Sequence, residues 1–265
     1  MDEPPRPESQ LARVGLGADL ASAARALLSQ PSVPLVSVAG MLLLGALSTH
    51  RELWIGDAVW LALLLFLPGW CGAERVFFQR HLQGRPVLLP HFLRLVKPFL
   101  GRFLMLGFWC GITCMAVFFS LARVIGIDFQ EPGIPLSLQV DMAAVVIAMD
   151  FALTFATAAL AYTTRSAWHA VGIGVAMIRQ TWPRSALYVL CPPLALNLLN
   201  CISPVGGRVL QLTITFVVTL AGLLAKGAIA AFYLRERGSY SQDGAAYISA
   251  GDEAFGGVTT PIHHS

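Results

Sequence analysis

Two ionisable side chains interrupt long apolar stretches of this sequence. Asp150 stands near the middle of one stretch, and Lys226 stands within another. On insertion scales, a charge in the middle of a membrane costs about 2.5–3.5 kcal/mol, so such residues face the interior of a helix bundle and often mark a functional site. Asp150 and Lys226 are therefore the first candidates for such a site.

Each charged residue belongs to a polar stripe with helical spacing. Asp150, Thr154 and Thr157 follow one another at i, i+4 and i+7, which is one face of a helix. Thr219 and Lys226 lie on a similar stripe seven residues apart. Alanines at every fourth position run along the opposite face from Asp150, and small residues let a neighbouring helix approach closely. The helix that carries Asp150 is therefore predicted to be central.

A direct ion pair between Asp150 and Lys226 is one interpretation of these two charges. At 1.5 Å per residue, Asp150 lies roughly 14 Å and Lys226 roughly 24 Å from the outer ends of their helices. The difference in depth is close to the joint reach of the two side chains. Lysine would also have to point away from its nearer surface, against its usual preference.

The apolar stretch between these two offers other partners. It contains Asn197 and Asn200 on one face, and Asn197 lies at about the depth of Asp150. It also contains Pro192 and Pro193, which remove backbone donors and free carbonyl groups that Lys226 could bind. A broken helix beside ionisable residues is typical of transporter sites. The alternative is an ordinary proline kink with polar side chains that hold helices together.

The composition indicates the elements that hold these residues. Of the 265 residues, 56% are hydrophobic and only 12% are charged, whereas soluble domains carry about 25% charged residues. The apolar runs are continuous and near the ~20 residues that a membrane-spanning helix needs. The sequence thus predicts an all-α membrane protein with six spans, at Val33–Thr49, Glu52–Cys71, Phe99–Leu121, Asp141–Tyr162, Ser185–Ser203 and Val209–Leu234.

Basic residues alternate from one side of these spans to the other. Lysine and arginine in short loops favour the cytoplasm, and most of the 18 in this chain fall on one side. We therefore expect a multi-pass protein of the bacterial inner membrane with both termini in the cytoplasm, and the net charge of +3 reflects this bias rather than nucleic-acid binding. The predicted cytoplasmic basic face consists of Arg75, Arg80, Arg85, Arg94, Lys97, Arg102, Arg179 and Arg184.

Three parts of the chain are expected around this pattern: an N-terminal cytoplasmic segment (1–32) with an amphipathic helix, the membrane domain (33–234), and a disordered cytoplasmic tail (235–265). Between spans, Glu74–Leu82 is expected to extend the second span, and Pro90–Gly101 to form a short interfacial helix. A shift of 82 residues superposes the second and third spans on the fourth and fifth. The interpretation is either a parallel internal repeat or the ordinary echo of any six-helix protein.

The exit from the last span has the sequence Ala231-Phe-Tyr-Leu-Arg-Glu-Arg-Gly-Ser-Tyr240, and the third span is preceded by Phe99-Leu-Gly-Arg102. These segments and the six-span layout resemble uncharacterised bacterial membrane proteins related to the membrane domain of glycerophosphodiester phosphodiesterases. In those phosphodiesterases the catalytic work belongs to a separate soluble domain. The resemblance therefore implies no enzyme activity for these residues.

Two functions are compatible with this pattern. The first is a non-enzymatic membrane component that organises or binds another cytoplasmic or membrane protein through its basic cytoplasmic face. The second is a transporter or export-permease subunit that uses Asp150, Lys226 and the proline-kinked fifth span. An intramembrane enzyme has no supporting constellation, and neither a cofactor nor a metal ion is expected. Beyond such a partner, the expected environment is the lipid bilayer.

Overall fold

The computed structural model describes residues 15–48, 54–85, 87–125, 136–202 and 207–240, and these residues form eight helices without a strand. The all-α prediction is therefore confirmed. The start of the predicted N-terminal segment and most of the predicted tail lie outside the described ranges. The helices are α1 (Leu16–Ser29), α2 (Ser32–Ser48), α3 (Trp54–Leu82), α4 (Leu89–Ile125), α5 (Leu136–Tyr162), α6 (Ala167–Thr181), α7 (Ala186–Ile202) and α8 (Arg208–Tyr240).

Three helices are long and apolar enough to cross a membrane. Within the described residues these segments are Leu89–Val124, Val140–Tyr162 and Val209–Glu236, in α4, α5 and α8. A fourth candidate is the pair α1 and α2, which meets the same criteria only if the two helices count as one span bent by 91°. Each of the six predicted spans coincides with a helix. By length and composition, however, only three described helices, or four spans if α1 and α2 count as one, could cross a membrane.

The helices α3 and α4 are longer than the spans predicted within them. As expected, α3 continues through Glu74–Leu82, and the chain leaves it at Gly84, whose φ of +74° favours glycine. The predicted interfacial helix at Pro90–Gly101 is not separate, because α4 runs unbroken for 37 residues with Pro98 inside it. Its apolar face, including Phe92 and Phe99, is buried against protein.

Two helices, α1 and α6, lie outside the six predicted spans. A helix, α1, precedes the first predicted span and buries one side at Asp19, Ala23, Ala26 and Leu27. The helix α6 follows α5 after a short turn, and the hydroxyl oxygen of Ser166 accepts a hydrogen bond from the backbone N–H of His169 at its start. Such a cap satisfies a backbone donor that the first helical turn leaves open.

The buried core lies at one end of the bundle, which we name the core end. It is the end where α3, α5 and α8 finish and where α4 and α7 begin. Most of the largest fully buried side chains, all under 2% exposed, lie here: Tyr233, Phe77, Phe78, Phe92, Phe99, Phe155, Phe232 and Leu160. Among the described helices, α3, α5 and α8 each pack against five others, so the predicted central helix, α5, shares that position with α3 and α8.

Close contacts between helices at the core end depend on glycine. A Cβ atom on Gly174 of α6 would lie 2.5 Å from the backbone nitrogen of Ala156 in α5. A Cβ on Gly72 of α3 would lie 2.6 Å from the Cβ of Phe99 in α4. These positions let the helix backbones approach more closely than any larger residue allows.

The opposite end, which we name the far end, exposes its apolar side chains. On α4 these include Phe108, Ile112, Met115 and Phe119, which are 43–60% exposed. On α8, Val209 is 80% exposed. An apolar surface of this kind is unfavourable in water but suits contact with lipid chains, which is consistent with helices that cross a membrane.

Candidate functional site

Lys226 is bound by a carboxylate, and that carboxylate is Glu74. The ammonium group of Lys226 in α8 donates to Oε2 of Glu74 in α3. The other carboxylate oxygen of Glu74, Oε1, accepts from the hydroxyl of Ser37 at 2.7 Å and from Nε1 of Trp70 at 3.0 Å. Trp70 lies one helical turn before Glu74, so both side chains leave α3 on the same face. With Cys71, whose Sγ is 3.7 Å from the Lys226 Nζ, these residues form what we call the Glu74 cluster.

The Glu74 cluster is buried unevenly. The Glu74 side chain is 5% exposed, whereas the Lys226 side chain is 27% exposed. A carboxylate buried to this extent is stable only when its charge and its hydrogen-bonding positions are satisfied, and here an ammonium, an indole and a hydroxyl do so. The cluster links α2, α3 and α8 at the core end.

A partly open cavity of about 390 Å³ begins at this cluster. Ser37, Trp70, Glu74 and Lys226 line one end of it. The rest of its wall is almost wholly apolar and comes from the same three helices. Its volume lies in the range of small-molecule sites.

A second ionic group, the Asp19 cluster, joins α1, α7 and α8. The guanidinium of Arg235 donates to both carboxylate oxygens of Asp19, at 2.8 and 3.0 Å. The hydroxyl of Tyr188 also donates to Asp19. Such two-pronged pairs between arginine and carboxylate are the strongest common type. The Asp19 cluster therefore fastens α1 to the end of α8.

The predicted residues of α5 do not meet Lys226. Asp150 is half-buried on α5, and the hydroxyl of Thr154 donates to the Asp150 backbone carbonyl at 2.9 Å. The hydroxyl of Thr157 donates to the backbone of its own helix at Leu153, at 3.0 Å. None of the three lines the Lys226 cavity. The hydroxyl groups of Thr154 and Thr157 are therefore satisfied within their own helix.

The other polar residues predicted inside the membrane are Thr219, Asn197 and Asn200, and the structure describes the side chain of Thr219 alone. Thr219 lines the cavity with Lys226, and its hydroxyl donates to the Thr215 carbonyl at 2.7 Å. The side chains of Asn197 and Asn200 lie outside the part of the chain that the structure describes. The prolines at 192 and 193 lie inside α7, which continues through them.

The predicted basic face is exposed at most of its positions. The exposed members are Arg85, Arg94, Lys97, Arg179 and Arg184. Arg80 and Arg102 are half-buried, and Arg75 is only 7% exposed. Arg75 lies inside because α3 continues past the predicted span and packs on α5, where the Tyr162 hydroxyl donates to the Arg75 carbonyl at 2.9 Å. Arg75 therefore does not belong to the surface on which the sequence pattern put it.

The acidic side chains at the core end lie inside the protein. Asp19 and Glu74 are buried, and the Glu236 side chain is 12% exposed and pairs with Arg184 at 3.4 Å. In the described part of this end, the exposed ionised side chains are all basic. Glu74 and Asp19 pair with Lys226 and Arg235, whose side chains are themselves largely buried, so these two acids do not reduce the positive charge of the exposed surface.

Glu74 is the functional candidate that sequence reasoning missed. The sequence pattern places Glu74 at the start of the inward extension of the second span and offers Asp150 as one of several possible partners for Lys226. The signal was present in the spacing, because Glu74 and Lys226 both lie near the cytoplasmic ends of their predicted helices. No protein-family model, curated protein or solved structure matches this chain.

Proposed function

We propose that this protein is a non-enzymatic component of a bacterial inner membrane that holds a protein partner against its basic cytoplasmic face. The observation that carries the proposal is the separation of charges at the core end. In the described part of that end the acids lie inside the protein, and the charged side chains that remain exposed are basic. A surface with one sign of charge attracts and orients a partner of the opposite sign.

The architecture in this proposal is the six-span topology with both termini in the cytoplasm. It rests on the basic bias of the loops, which assigns the core end to the cytoplasm. Helix length supports it in part, since α4 at 37 residues is about 55 Å long, well beyond a hydrocarbon core of about 30 Å. The start of α4 therefore has the length to project from the membrane with Arg94 and Lys97 exposed on it.

A rigid surface favours specific docking because little is ordered on binding. The helix α4, which carries Arg94 and Lys97, is held in the aromatic core through Phe92 and Phe99. Arg94 and Lys97 are exposed on α4, while Leu95, Val96 and Phe99 between and beside them are no more than 1% exposed. The side chains of Arg94 and Lys97 therefore project from a segment of α4 whose other face is packed in the core.

The test is co-purification in mild detergent from native membranes. The full chain is compared with a charge-reversed variant, Arg94→Glu with Lys97→Glu and Arg179→Glu. A matched control reverses Arg123, an exposed arginine at the far end. We expect one protein to elute in fixed ratio with the wild type and with Arg123→Glu, to be lost from the triple variant, and to dissociate as salt rises. Recovery of the same proteins with all three chains would contradict the proposal.

Transport is the second candidate, because a cavity reaches Lys226. Against it, neither Asp150 nor any described residue of α7 lines that cavity, so the three elements expected of a transport site are not assembled around it. The pair Asp150→Asn and Asp150→Ala separates the alternatives. A transport role predicts that Asn abolishes uptake or export of the cargo at an unchanged folded level. A structural role predicts that both variants lower the amount of folded protein.

A further inference from the structure

The cavity at the Glu74 cluster is ordered from polar to apolar along all three of its helices. Ser37, Glu74 and Lys226 line one end, and Leu44, Phe66 and Val218 line it further toward the far end. The step from Lys226 to Val218 spans eight residues of α8, or about 12 Å. The helices run in different directions but agree on this order. The cavity therefore has one polar end and an apolar shaft.

Two glycines of the cavity wall face empty space. A Cβ atom added to Gly40 of α2 or to Gly222 of α8 would meet nothing within 4 Å. At Gly72 and Gly174, by contrast, a neighbouring helix fills that space. Gly40 and Gly222 are thus not required for helix packing. Their effect is to leave the shaft wide.

The polar end keeps one hydrogen-bond donor for a ligand. An ammonium group has three donors. Lys226 directs one to Glu74 and a weak one to the sulfur of Cys71, and within the described part of the chain the third has no acceptor. The side chain is also 27% exposed. The polar end of the cavity can therefore bind a ligand oxygen that accepts a hydrogen bond from Lys226.

The rim of the cavity is apolar on its outer side. Val36 and Phe66 line the cavity and are also 37% and 43% exposed. An occupant can therefore enter from the lipid-facing surface of the bundle. The exposed charges around the core end are basic, and each basic residue near a membrane surface adds about 1 kcal/mol of attraction for anionic lipid.

We propose that this cavity binds one acyl chain of an anionic glycerophospholipid from the leaflet at the core end. The chain lies in the shaft between α2, α3 and α8, and a phosphate oxygen of the headgroup accepts the remaining N–H of Lys226. This orientation is that of a lipid in its own leaflet, with the head at the membrane surface and the chain toward the midplane. The proposal is independent of the protein partner proposed above.

The experiment is a lipid titration of the delipidated, detergent-purified full chain, followed by native mass spectrometry. The probes are phosphatidylglycerol and phosphatidylcholine with identical acyl chains. Gly222→Leu and Gly40→Leu add an apolar side chain to the shaft wall at positions where a Cβ meets nothing within 4 Å, and Gly111→Leu is the matched control, since Gly111 is exposed on α4 and its added Cβ also meets nothing within 4 Å. Thermal unfolding in detergent confirms that each variant is folded.

We expect the wild type and Gly111→Leu to bind one phosphatidylglycerol tightly and phosphatidylcholine at least about tenfold more weakly, a difference of about 1.4 kcal/mol. We expect Gly222→Leu and Gly40→Leu to lose the tight site and retain only the weak binding common to all the chains. Equal binding of phosphatidylglycerol by the shaft variants and the control would overturn the assignment to this cavity. Equal binding of both lipids by the wild type would overturn the preference for an anionic headgroup.

Discussion

The core end and the far end of the bundle are built from similarly apolar helices but are held together differently. At the core end, aromatic side chains interlock, glycines bring helices into contact, and two ionic clusters join α1, α2, α3, α7 and α8. At the far end, phenylalanine, valine and methionine side chains point outward. Specific side-chain contacts therefore hold the protein at one end, whereas at the other end apolar side chains face outward, as contact with lipid chains would require.

The largest expected effect concerns the orientation of the two ends. In a chain freed of its native cysteines, Arg94→Cys places a thiol at the exposed core end and Arg123→Cys places one at the exposed far end. With intact cells and a membrane-impermeant maleimide, we expect labelling of the Arg123 variant alone. Permeabilised cells serve as the control, in which both variants should react. Labelling of the Arg94 variant in intact cells would reverse the topology.

The next effect tests the ionic attachment of α8 at the core end. Glu74→Leu removes the carboxylate that holds Lys226 and leaves a poorly exposed ammonium without its charge partner. Removing one member of a buried pair costs about 3–5 kcal/mol. The double variant Glu74→Leu with Lys226→Met should recover most of that loss, because an apolar pair of similar size is often no worse. The measurement is denaturant unfolding in detergent; equal stability of wild type and Glu74→Leu would refute the attachment.

A smaller effect separates tight packing from loose packing. Gly174→Ala adds a Cβ that would lie 2.5 Å from the Ala156 backbone nitrogen, so α5 and α6 must move apart. Overpacking of this kind costs about 1–3 kcal/mol. Gly111→Ala on the exposed side of α4 should have almost no effect, since nothing lies within 4 Å of its added Cβ. Thermal unfolding of both variants in the same detergent measures the difference, and equal losses would contradict the contrast between the ends.

The smallest effect concerns the ion pair on the surface of the core end. Arg184 pairs with Glu236 at 3.4 Å, but its side chain is 58% exposed. Solvent screens such a pair, so Arg184→Met should change the free energy of unfolding by less than about 1 kcal/mol. Denaturant unfolding beside the Glu74 variant measures it. A loss as large as that of Glu74→Leu would mean that burial does not decide which ion pairs stabilise this bundle.

Much of the framework could be predicted from the sequence. Apolar runs located a helix at every predicted span, and the loss of apolar character after Cys71 still allowed the inward extension to Leu82 to be predicted. The amphipathic pattern around Phe92 and Lys97 correctly gave one buried and one exposed face. Those features depend on local spacing, which a single sequence displays directly.

The errors came from contacts between distant segments. Arg75 follows Glu74 directly, yet the two side chains lie in different surroundings, because successive residues of a helix point about 100° apart. The pattern alone put Arg75 on the basic cytoplasmic face and gave Glu74 no partner. The partner of Lys226 could not be chosen either, since that requires knowing that α3 and α8 are neighbours. The order of helices in a bundle depends on packing that hydropathy does not encode.

The Asp19 cluster also has a consequence for the order of events during synthesis. Asp19 and Arg235 are 216 positions apart in the chain. When α1 leaves the ribosome, its carboxylate has no partner, and the arginine that binds it is made only after the other seven described helices. Of the described helices, the last to emerge thus docks the first. A ribosome stalled before residue 235 should leave α1 open to protease, and completion of the chain should protect it.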